Sequence, residues 1–367
     1  MRIALTIPTL GPGGAERVIL SLAHHWVDQG HEVMLITLEA PGTAAFYPCV
    51  DRIQRYYLDQ WTPPDSPWWL RLQKIGARLW ALRNIFKILN PDLILSFMDL
   101  MNMSVLLAGI GLKNPVIACE RIDPAHRPLA FFLKCLRLCL YPRACQLVVQ
   151  TESAATYFPK SFRRFIRIIP NAVPQPVFCK EHHVPSIRKL LSVGRLTSQK
   201  DHQTLIRAFA QVQKKYSKLN LDIYGEGPEH SNLVHLLQEL GVEKYVQLRA
   251  PVSYIQDVLL DADLFIFPSL YEGFSNALCE AMAIGLPIIA SDCAANLEIV
   301  TEGMNGRLFP VGDVDRLTAL MLELIQDHAQ CMRLGNQAKK LSETLSPERV
   351  WPEWDRLLDT VVPTSPA

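Results

Sequence analysis

The chain has 367 residues, 49% of them hydrophobic, and a formal net charge of +1. A chain of this length can bury two cores, so two domains are expected. A net charge this close to zero gives no general attraction to nucleic acid, and we expect no nucleic-acid partner. The 9 cysteines show no CxxC pairs and no zinc-type His/Cys spacing, and their odd number argues against a complete disulfide framework. This cysteine usage fits a protein of the reducing cytosol best.

The amino terminus predicts the opening of a doubly wound nucleotide-binding fold. A strand in RIALTIP is followed by a glycine-rich turn, a helix from about Glu16 to Asp28 and a strand in HEVMLITL. The segment lacks the features of a signal peptide, and no apolar run in the chain reaches membrane-spanning length. Gly11 and Gly13 are followed by Glu16 where a dinucleotide fingerprint needs its third glycine, so an NAD-dependent oxidoreductase is a distant alternative.

A helix predicted within residues 67–89 is rich in cations and contains no acidic residue. On a helical wheel, the apolar residues of this segment form one stripe: Trp68, Leu72, Ile75, Leu79, Leu82 and Phe86. Cations flank this stripe on both sides: Arg71, Lys74, Arg78, Arg83 and Lys87. Residues 129–143 are also apolar and basic. Helices of this kind dock on membranes, and each cation near anionic lipid contributes roughly 1 kcal/mol. We predict membrane docking here in preference to plain packing on the first sheet.

A polar cluster follows the apolar strand in NPVIA. Glu120, Arg121, Asp123 and His126 should lie at the carboxyl end of this strand, where parallel sheets bind ligands. We assign Arg121 and Asp123 to the acceptor side. A lone loop histidine is often structural, so His126 needs further support.

The second half of the chain alternates strands and helices. Strands are predicted in KLLSVGRL, LNLDIYGEG and YVQLRAP, with helices in HQTLIRAFAQVQKKY and NLVHLLQELG. This alternation predicts a second parallel sheet with helices on both faces. Proline and polar residues in PNAVPQPVFCKEHHVP mark a linker, so a cleft should form between two Rossmann-like domains. In the tail, Trp351, Trp354 and Leu357 have helical spacing.

The most informative stretch is PSLYEGFSNALCEAMAIGLPIIASD, in which apolar strands bracket a segment of helical length. Ser275 and Asn276 are its N-cap candidates. Glu272 lies in the loop and Glu280 about one turn into the helix, so two carboxylates bracket the helix start. Helix starts bind phosphates, and carboxylates accept hydrogen bonds from sugar hydroxyls. Arbitrary glutamates would be solvated charges, but the flanking glycine and apolar strands favour a nucleotide-sugar site.

Two cations follow a strand end in GRLTSQK. Arg195 offers a forked guanidinium and Lys200 a point charge, and together they can stabilise the charge that grows on a departing nucleoside diphosphate. No DxD triplet lies at a strand end, so an obligatory divalent metal is not implied.

These motifs together resemble retaining glycosyltransferases of family 4, which have the GT-B fold. EGFSNALCE matches the family's Glu-x7-Glu signature. The segments SVGRLTSQKD, LDIYGEGPE, IPNAV and GPGGAER all stand in the family's order. The resemblance implies an α/β fold of two doubly wound, Rossmann-like domains that face a central cleft. It places the first domain at 1–170, a linker at 171–186, the nucleotide-sugar domain at 187–345 and a terminal helix at 346–367 that packs back on the first domain.

The resemblance also implies roles for particular residues. Glu272 would hold the sugar ring, Glu280 the ribose hydroxyls, and Arg195 and Lys200 the diphosphate. His126 would contact donor or acceptor. The remaining donor-binding residues are then Gly13, Gly14, Gly273, Phe274, Ser275 and Asn276.

The implied reaction is retaining transfer from a UDP-sugar without an obligatory metal. ERIDP and GGAERV look like segments of bacterial transferases that extend lipid-linked oligosaccharides or surface polysaccharides, including N-acetylgalactosaminyl and galactosyl transferases. We therefore expect a polyprenyl-diphosphate-linked glycan as acceptor and a peripheral location on the cytoplasmic face of the inner membrane, on anionic lipid. The alternatives are a soluble glycosyltransferase, a sugar-nucleotide epimerase of the same architecture, or a non-catalytic protein that binds a nucleotide-sugar.

Overall fold

The computed structural model of the protein describes residues 1–60, 67–126, 129–176 and 186–362, without the side chains of residues 68–72. The chain forms two compact units, Met1–Pro170 with Val350–Ala367, and Asn171–Arg349. Each unit contains one parallel sheet with its own hydrophobic core. The two parallel sheets predicted from the alternating pattern are therefore present.

The first sheet has seven strands in the order β3-β2-β1-β4-β5-β6-β7. They are β1 (Arg2–Thr6), β2 (Glu32–Thr37), β3 (Gln54–Tyr57), β4 (Leu93–Phe97), β5 (Val116–Cys119), β6 (Gln146–Val149) and β7 (Ile166–Ile168). The helices between them are α1 (Gly14–Asp28), α2 (Trp68–Leu89), α3 (Asp99–Ala108), α4 (Phe131–Leu140) and α5 (Glu152–Tyr157). The chain runs from β1 outward to β2 and later returns to β4 on the other side of β1. The switch point of this sheet therefore lies between β1 and β4.

The second sheet has six strands in the order β10-β9-β8-β11-β12-β13. They are β8 (Lys189–Val193), β9 (Asn220–Tyr224), β10 (Val246–Arg249), β11 (Leu264–Phe267), β12 (Ile288–Ser291) and β13 (Arg307–Phe309). Its helices are α6 (His202–Gln213), α7 (His230–Leu240), α8 (Ile255–Asp261), α9 (Asn276–Ile284), α10 (Ala294–Leu297), α11 (Val314–Gln326) and α12 (His328–Ser342). The switch point lies between β8 and β11, so the loops after these two strands meet where such sheets bind ligands.

The last helix, α13 (Pro347–Val361), packs on α1 in the first unit. Asp355 accepts hydrogen bonds from Trp26 Nε1 at 3.1 Å and Gln29 Nε2 at 3.0 Å, and its Oδ1 lies 3.0 Å from His25 Nε2. Trp354 meets Trp26 edge-to-face with ring centroids 6.4 Å apart. An apolar contact and a cluster of polar contacts thus fix α13 to α1.

The linker predicted at 171–186 is described only in part, because residues 177–185 lie outside the described ranges. The start of the segment packs on the second unit: Val173 is buried, and its N–H donates to Leu345 O at 2.8 Å. Gln175 Nε2 donates to Ser342 O at 3.3 Å. Residues 171–176 are therefore held by α12 and the turn that follows it.

In helix α2, part of the apolar stripe that was predicted to face a membrane is buried instead. Leu82 and Phe86 are fully buried in the core that α2 shares with α3 and α4, and Leu79 packs against that core. The stripe therefore serves the first sheet over this part of the helix, because a periodic apolar face is satisfied equally well by a sheet. Ile75, one turn earlier, is exposed. Trp68 and Leu72 have side chains outside those described.

The cations of α2 are mostly engaged with the first unit. Lys74 Nζ donates to Asp59 O at 3.2 Å, and Arg78 Nη2 to Gln60 O at 3.4 Å. Arg83 Nη1 donates to Ala108 O at 2.8 Å. Lys87 is exposed, and the side chain of Arg71 lies outside those described. Lys74, Arg78 and Arg83 thus donate to backbone carbonyls of the first unit.

Candidate active site

Lys200 and Glu272 form an ion pair at the switch point of the second sheet. Lys200 Nζ lies 2.5 Å from Glu272 Oε1, and the two side chains are 15% and 7% exposed. The ammonium also lies 4.7 Å from the ring centroid of Phe267, the last residue of β11. Because little water reaches the pair, each charge depends on the other. The pair brings together a cation suited to phosphate and a carboxylate suited to hydroxyl groups.

Glycines allow the loop that carries Lys200 to pack tightly. A Cβ on Gly194 would lie 3.0 Å from Lys200 Cδ, and a Cβ on Gly225 would lie 2.0 Å from Gly194 O. Leu196 N donates to Glu226 O at 2.8 Å and joins the loops after β8 and β9. A side chain at either glycine would therefore displace the backbone or the lysine.

Gln199 ties this loop to the one that carries Glu272. Its side-chain Nε2 donates to Tyr271 O at 2.9 Å, and Leu270 N donates to Gln199 O at 2.8 Å. The loops after β8 and β11 are thus hydrogen-bonded directly beside the ion pair. Gln199 was missed in the sequence, where nothing distinguishes it from an ordinary loop glutamine.

The start of α9 lies directly after Glu272 and has no side-chain cap. Ser275 occupies the N-cap position, but its hydroxyl donates to Asn296 Oδ1 at 2.5 Å instead of accepting from the helix. Asn276 Oδ1 accepts from Asn171 Nδ2 at 2.7 Å. Both predicted N-cap side chains are therefore engaged elsewhere, and the first turn of α9 keeps N–H groups without an intrahelical partner.

Glu280 lies in the second turn of α9, as its spacing from Glu272 predicts, and both glutamates are 8% exposed. Gly273 and Phe274, in the turn between Glu272 and the helix, are also buried. Arg195 is exposed, in contrast to Lys200. The second unit thus brings together Lys200, Glu272 and the helix start, with Arg195 on the adjoining surface.

His202 begins α6 beneath the loop that carries Lys200, and no role was predicted for it. Its Nε2 lies 3.4 Å from Gly194 O, and burial lowers its pKa to about 4. The neutral ring therefore donates from Nε2, because a carbonyl oxygen only accepts.

In the first unit, the turn after β1 places an acidic side chain at the start of α1. Gly13 is the N-cap, with extended backbone, and Gly14 is the first helical residue. A Cβ on Gly13 would lie 2.1 Å from Glu16 Oε2, so the carboxylate rests against this glycine. A carboxylate here is stabilised by the helix dipole. Glu16 thus occupies part of the anion-binding end predicted to offer Gly13 and Gly14 to the donor.

The loop after β5 pairs His126 with Asp123. His126 Nδ1 lies 2.7 Å from Asp123 Oδ2, and Asp123 Oδ1 accepts from Ala125 N at 2.8 Å. The histidine is 54% exposed and the aspartate 13%. Asp123 thereby fixes the orientation of an accessible imidazole, the arrangement that positions a histidine for contact with a substrate.

Arg121 takes a different position from the one predicted. Its guanidinium lies 3.9 Å from the Phe97 ring centroid and 5.5 Å from that of Trp354 in α13. Burial lowers its pKa. Buried against the two rings, Arg121 joins β4, β5 and α13.

Comparisons with known proteins agree with both units. The family model described as Glycosyltransferase Family 4 matches residues 12–175, and the one described as Glycosyl transferases group 1 matches residues 180–341. An uncharacterized glycosyltransferase of Haemophilus influenzae is 26% identical and covers 97% of this chain and 99% of its own length. Sucrose-phosphate synthase from Thermosynechococcus elongatus superposes with a TM-score of 0.87 at 18% identity, over 99% of this chain and 100% of its own. The chain belongs to the GT-B glycosyltransferases.

Two further similarities concern proteins with named ligands. The Campylobacter jejuni protein named GalNAc-α-(1→4)-GalNAc-α-(1→3)-diNAcBac-PP-undecaprenol α-1,4-N-acetyl-D-galactosaminyltransferase is 24% identical and covers 98% of this chain and 99% of its own length. The structure of Anabaena HepE in complex with UDP-glucose has a TM-score of 0.79 at 17% identity, over 98% of this chain and 100% of that one. The predicted family resemblance and GT-B fold are confirmed.

The glycosyltransferase also contains a buried polar cluster behind the loop after β5. Glu120 lies 3.7 Å from Arg137 Nη1 and accepts a hydrogen bond from the Tyr141 hydroxyl. Arg137 Nη2 donates to Tyr157 OH at 2.8 Å. Glu120, Arg137 and Tyr141 are almost completely buried. Glu120 therefore anchors α4 and the turn after it to the end of β5.

The outer face of α4 in this glycosyltransferase is apolar and exposed. Phe131 is 81% exposed and Phe132 67%, and Leu138 is also exposed. Lys134 is exposed on the same helix, and residues 129–151 contain no acidic residue. Helix α2 also exposes large apolar side chains, with Trp80 at 70% and Ile88 at 79%, so both helices predicted to dock on membranes carry them. No helix within the described ranges is both long and apolar enough to span a membrane.

Proposed function

We propose that this glycosyltransferase moves a hexose or N-acetylhexosamine, with GalNAc favoured, from a UDP-sugar to a polyprenyl-diphosphate-linked glycan. The new bond is α-glycosidic, formed with retention of anomeric configuration. The observation that carries the proposal is the ion pair of Lys200 and Glu272 beside the uncapped start of α9. The Campylobacter relative, named for a lipid-linked acceptor, and the UDP-glucose complex of HepE support it.

On the donor side, the cations would bind the diphosphate. An ammonium has three N–H donors, so Lys200 can keep its contact with Glu272 while it donates to a phosphate oxygen. Arg195 and the first turn of α9 would add further donors as charge grows on the departing UDP. With the diphosphate bound in this way, the Glu272 carboxylate would accept hydrogen bonds from the sugar hydroxyls and Glu280 from the ribose hydroxyls.

The roles of Gly273, Phe274, Ser275 and Asn276 follow from their place at the start of α9. Backbone N–H groups in this turn would bind the donor, because the side chains of Ser275 and Asn276 are already hydrogen-bonded to asparagines. No covalent enzyme intermediate is assigned to Glu272. The leaving phosphate would assist deprotonation of the acceptor hydroxyl on the same face of the sugar.

In the first unit, His126 would contact donor or acceptor, with its ring oriented by Asp123. Gly14 would offer its backbone N–H to the donor once Glu16 moves from its position against Gly13. Gly13 would do so in place of its present hydrogen bond to Gly11 O at 2.9 Å. The displacement of Glu16 would cost part of the favourable interaction between its carboxylate and the helix dipole.

The exposed face of α4 supports a peripheral location on anionic lipid at the cytoplasmic face of the inner membrane. Phe131 and Phe132 can enter the headgroup region while Lys134 contacts lipid phosphates. Phe131 lies five positions after His126, a span of about 17 Å or less. A lipid-linked acceptor could then reach the histidine from the membrane surface.

The test is a donor panel of UDP-GalNAc, UDP-GlcNAc and UDP-Gal with a synthetic polyprenyl-diphosphate-linked acceptor. We expect UDP release and an α-linked product, identified by NMR of the anomeric proton, only when donor and acceptor are both present. Interconversion of UDP-sugars without acceptor would support an epimerase instead. Binding without turnover across the panel would support a non-catalytic protein, and equal rates on a water-soluble glycoside would support a soluble transferase.

A further inference from the structure

Ser275 stands at the N-cap of α9, where its residue type is favoured because the hydroxyl can accept from the N–H groups of the first turn. It does not do so here, since the helix has no side-chain cap hydrogen bond. Helices with a serine cap are more stable by about 1 kcal/mol than those without one. The backbone of Ser275, with φ −88° and ψ 71°, is also turned away from the extended conformation of an N-cap, and Asn276 N donates to Phe274 O at 3.1 Å. A side-chain partner holds the hydroxyl in this arrangement.

That group is Asn296, in α10. Its side chain is fully buried, and its Nδ2 donates to Ser291 O at 2.9 Å at the end of β12. A carbonyl oxygen only accepts, so the amide nitrogen must face Ser291 and the amide oxygen must face Ser275. Ser275 Oγ therefore donates its proton to Asn296 Oδ1, at 2.5 Å. The orientation of one amide thus determines the direction of the Ser275 hydroxyl.

The segment that carries Asn296 also adjoins the ion pair. Cys293, three residues earlier, is buried, and burial raises the pKa of its thiol to about 11. The charges of Glu272 and Lys200 both act on that thiol. Helix α10, which begins one residue after Cys293, therefore lies near the ion pair, and its Asn296 contacts the N-cap residue of α9 directly.

We propose that Asn296 is a positioning residue that holds the Ser275 hydroxyl away from the first turn of α9 and so leaves its backbone N–H groups available to the anionic part of the donor. A hydroxyl oxygen and a phosphate oxygen compete for the same N–H groups, so a capped helix binds the anion less tightly. This inference rests on the proposed function and deepens it by naming the residue that keeps the helix start open.

The experiment measures UDP binding by titration calorimetry with three variants. Asn296→Leu removes the amide that holds Ser275, so Ser275 can adopt the extended backbone of an N-cap and its hydroxyl can cap the helix. We expect UDP affinity to fall about fivefold, the effect of a competing cap of about 1 kcal/mol. In the double variant Asn296→Leu with Ser275→Ala no hydroxyl can cap the helix, and the affinity should return to nearly that of the unaltered chain.

Asn305→Leu is the matched control. Asn305 is also buried, its Nδ2 donates to Ile299 O at 3.0 Å, and its Oδ1 accepts from Thr301 N at 2.7 Å. Its loss should lower Tm as the loss of Asn296 does, without a change in UDP affinity. If Asn296→Leu does not fold, the smaller side chain of Asn296→Ala allows the same comparison. This variant is then measured alone and together with Ser275→Ala.

The inference is overturned if the Asn296 variant binds UDP as tightly as the unaltered chain. It is also overturned if removal of the Ser275 hydroxyl fails to restore affinity, since a purely structural role for Asn296 would not be rescued in this way. Absence of UDP binding to the unaltered chain would overturn the proposed function itself, and the inference with it.

Discussion

The loops after β8 and β11 in the second unit hold their charged groups differently from the loop after β5 in the first. Lys200 and Glu272 form a shielded pair, and hydrogen bonds through Gln199 join the loops that carry them. After β5, Glu120 and Arg121 serve internal packing, and the exposed pair of Asp123 and His126 remains at the surface. The first arrangement suits a constant ligand part such as a nucleoside diphosphate. The second arrangement, with an exposed histidine, suits a ligand that approaches from the surface.

The largest expected effect comes from the ion pair. Lys200→Ala removes the cation proposed to stabilise the leaving diphosphate, and it leaves the Glu272 carboxylate buried without its partner. We expect kcat/KM to fall about 1,000-fold, measured as UDP release. Lys189→Ala is the control, because Lys189 pairs with Asp261 on the surface of the same unit. A fall of less than about tenfold would remove Lys200 from the mechanism.

The next effect concerns the pair after β5. His126→Ala should lower kcat/KM for the acceptor about 100-fold if the ring contacts the reacting groups. Asp123→Asn should act through the same ring, so the double variant should be little worse than His126→Ala alone. His235→Ala, on the exposed surface of α7, is the control. Fully additive effects would show that Asp123 and His126 act independently.

A third measurement compares α4 with α2. Replacement of Phe131 and Phe132 by serine should weaken binding to vesicles that contain phosphatidylglycerol by about tenfold, because two exposed aromatic side chains are lost. Lys74→Ala in α2 should leave vesicle binding unchanged, since Lys74 donates to Asp59 O. Tyr254→Ser removes an exposed aromatic residue from the second unit as a control. The opposite result, loss of binding only with Lys74→Ala, would assign docking to α2.

A separate prediction concerns folding and not activity: the stability of the second unit should depend on pH. The pKa of His202 is about 4 in the folded state, below its unfolded value of about 6.5. The unfolded state therefore binds the proton first, and stability is lost as pH falls from about 6.5 to 4, by up to roughly 3 kcal/mol. His202→Gln should reduce this dependence in urea unfolding, whereas His235→Gln should not. An unchanged pH profile in His202→Gln would contradict the assignment of a buried neutral ring.

The sequence predicted the fold better than it predicted the contacts within the site. The alternation of strands and helices required two parallel sheets, and the spacing of Glu272 and Glu280 placed them around a helix start. Lys200 and Glu272 are 72 positions apart, so only the crossover from β8 to β11 brings them to 2.5 Å. No local sequence pattern indicates that Asn296 accepts a hydrogen bond from the Ser275 hydroxyl.

The apolar stripe of α2 shows what hydrophobic periodicity alone cannot predict. Its periodicity correctly predicted a helix with one apolar face, but Leu82 and Phe86 pack on the first sheet. Apolar periodicity identifies the face that is covered without identifying what covers it. The aromatic partners of Arg121, Phe97 and Trp354, could not be predicted for a similar reason, because they come from distant parts of the chain.

The most direct test of the donor site is a crystal structure of the protein with UDP. We predict that the β-phosphate lies about 3 Å from Lys200 Nζ, at hydrogen-bonding distance, and in contact with the first turn of α9. A diphosphate bound away from Lys200 and α9 would contradict the account.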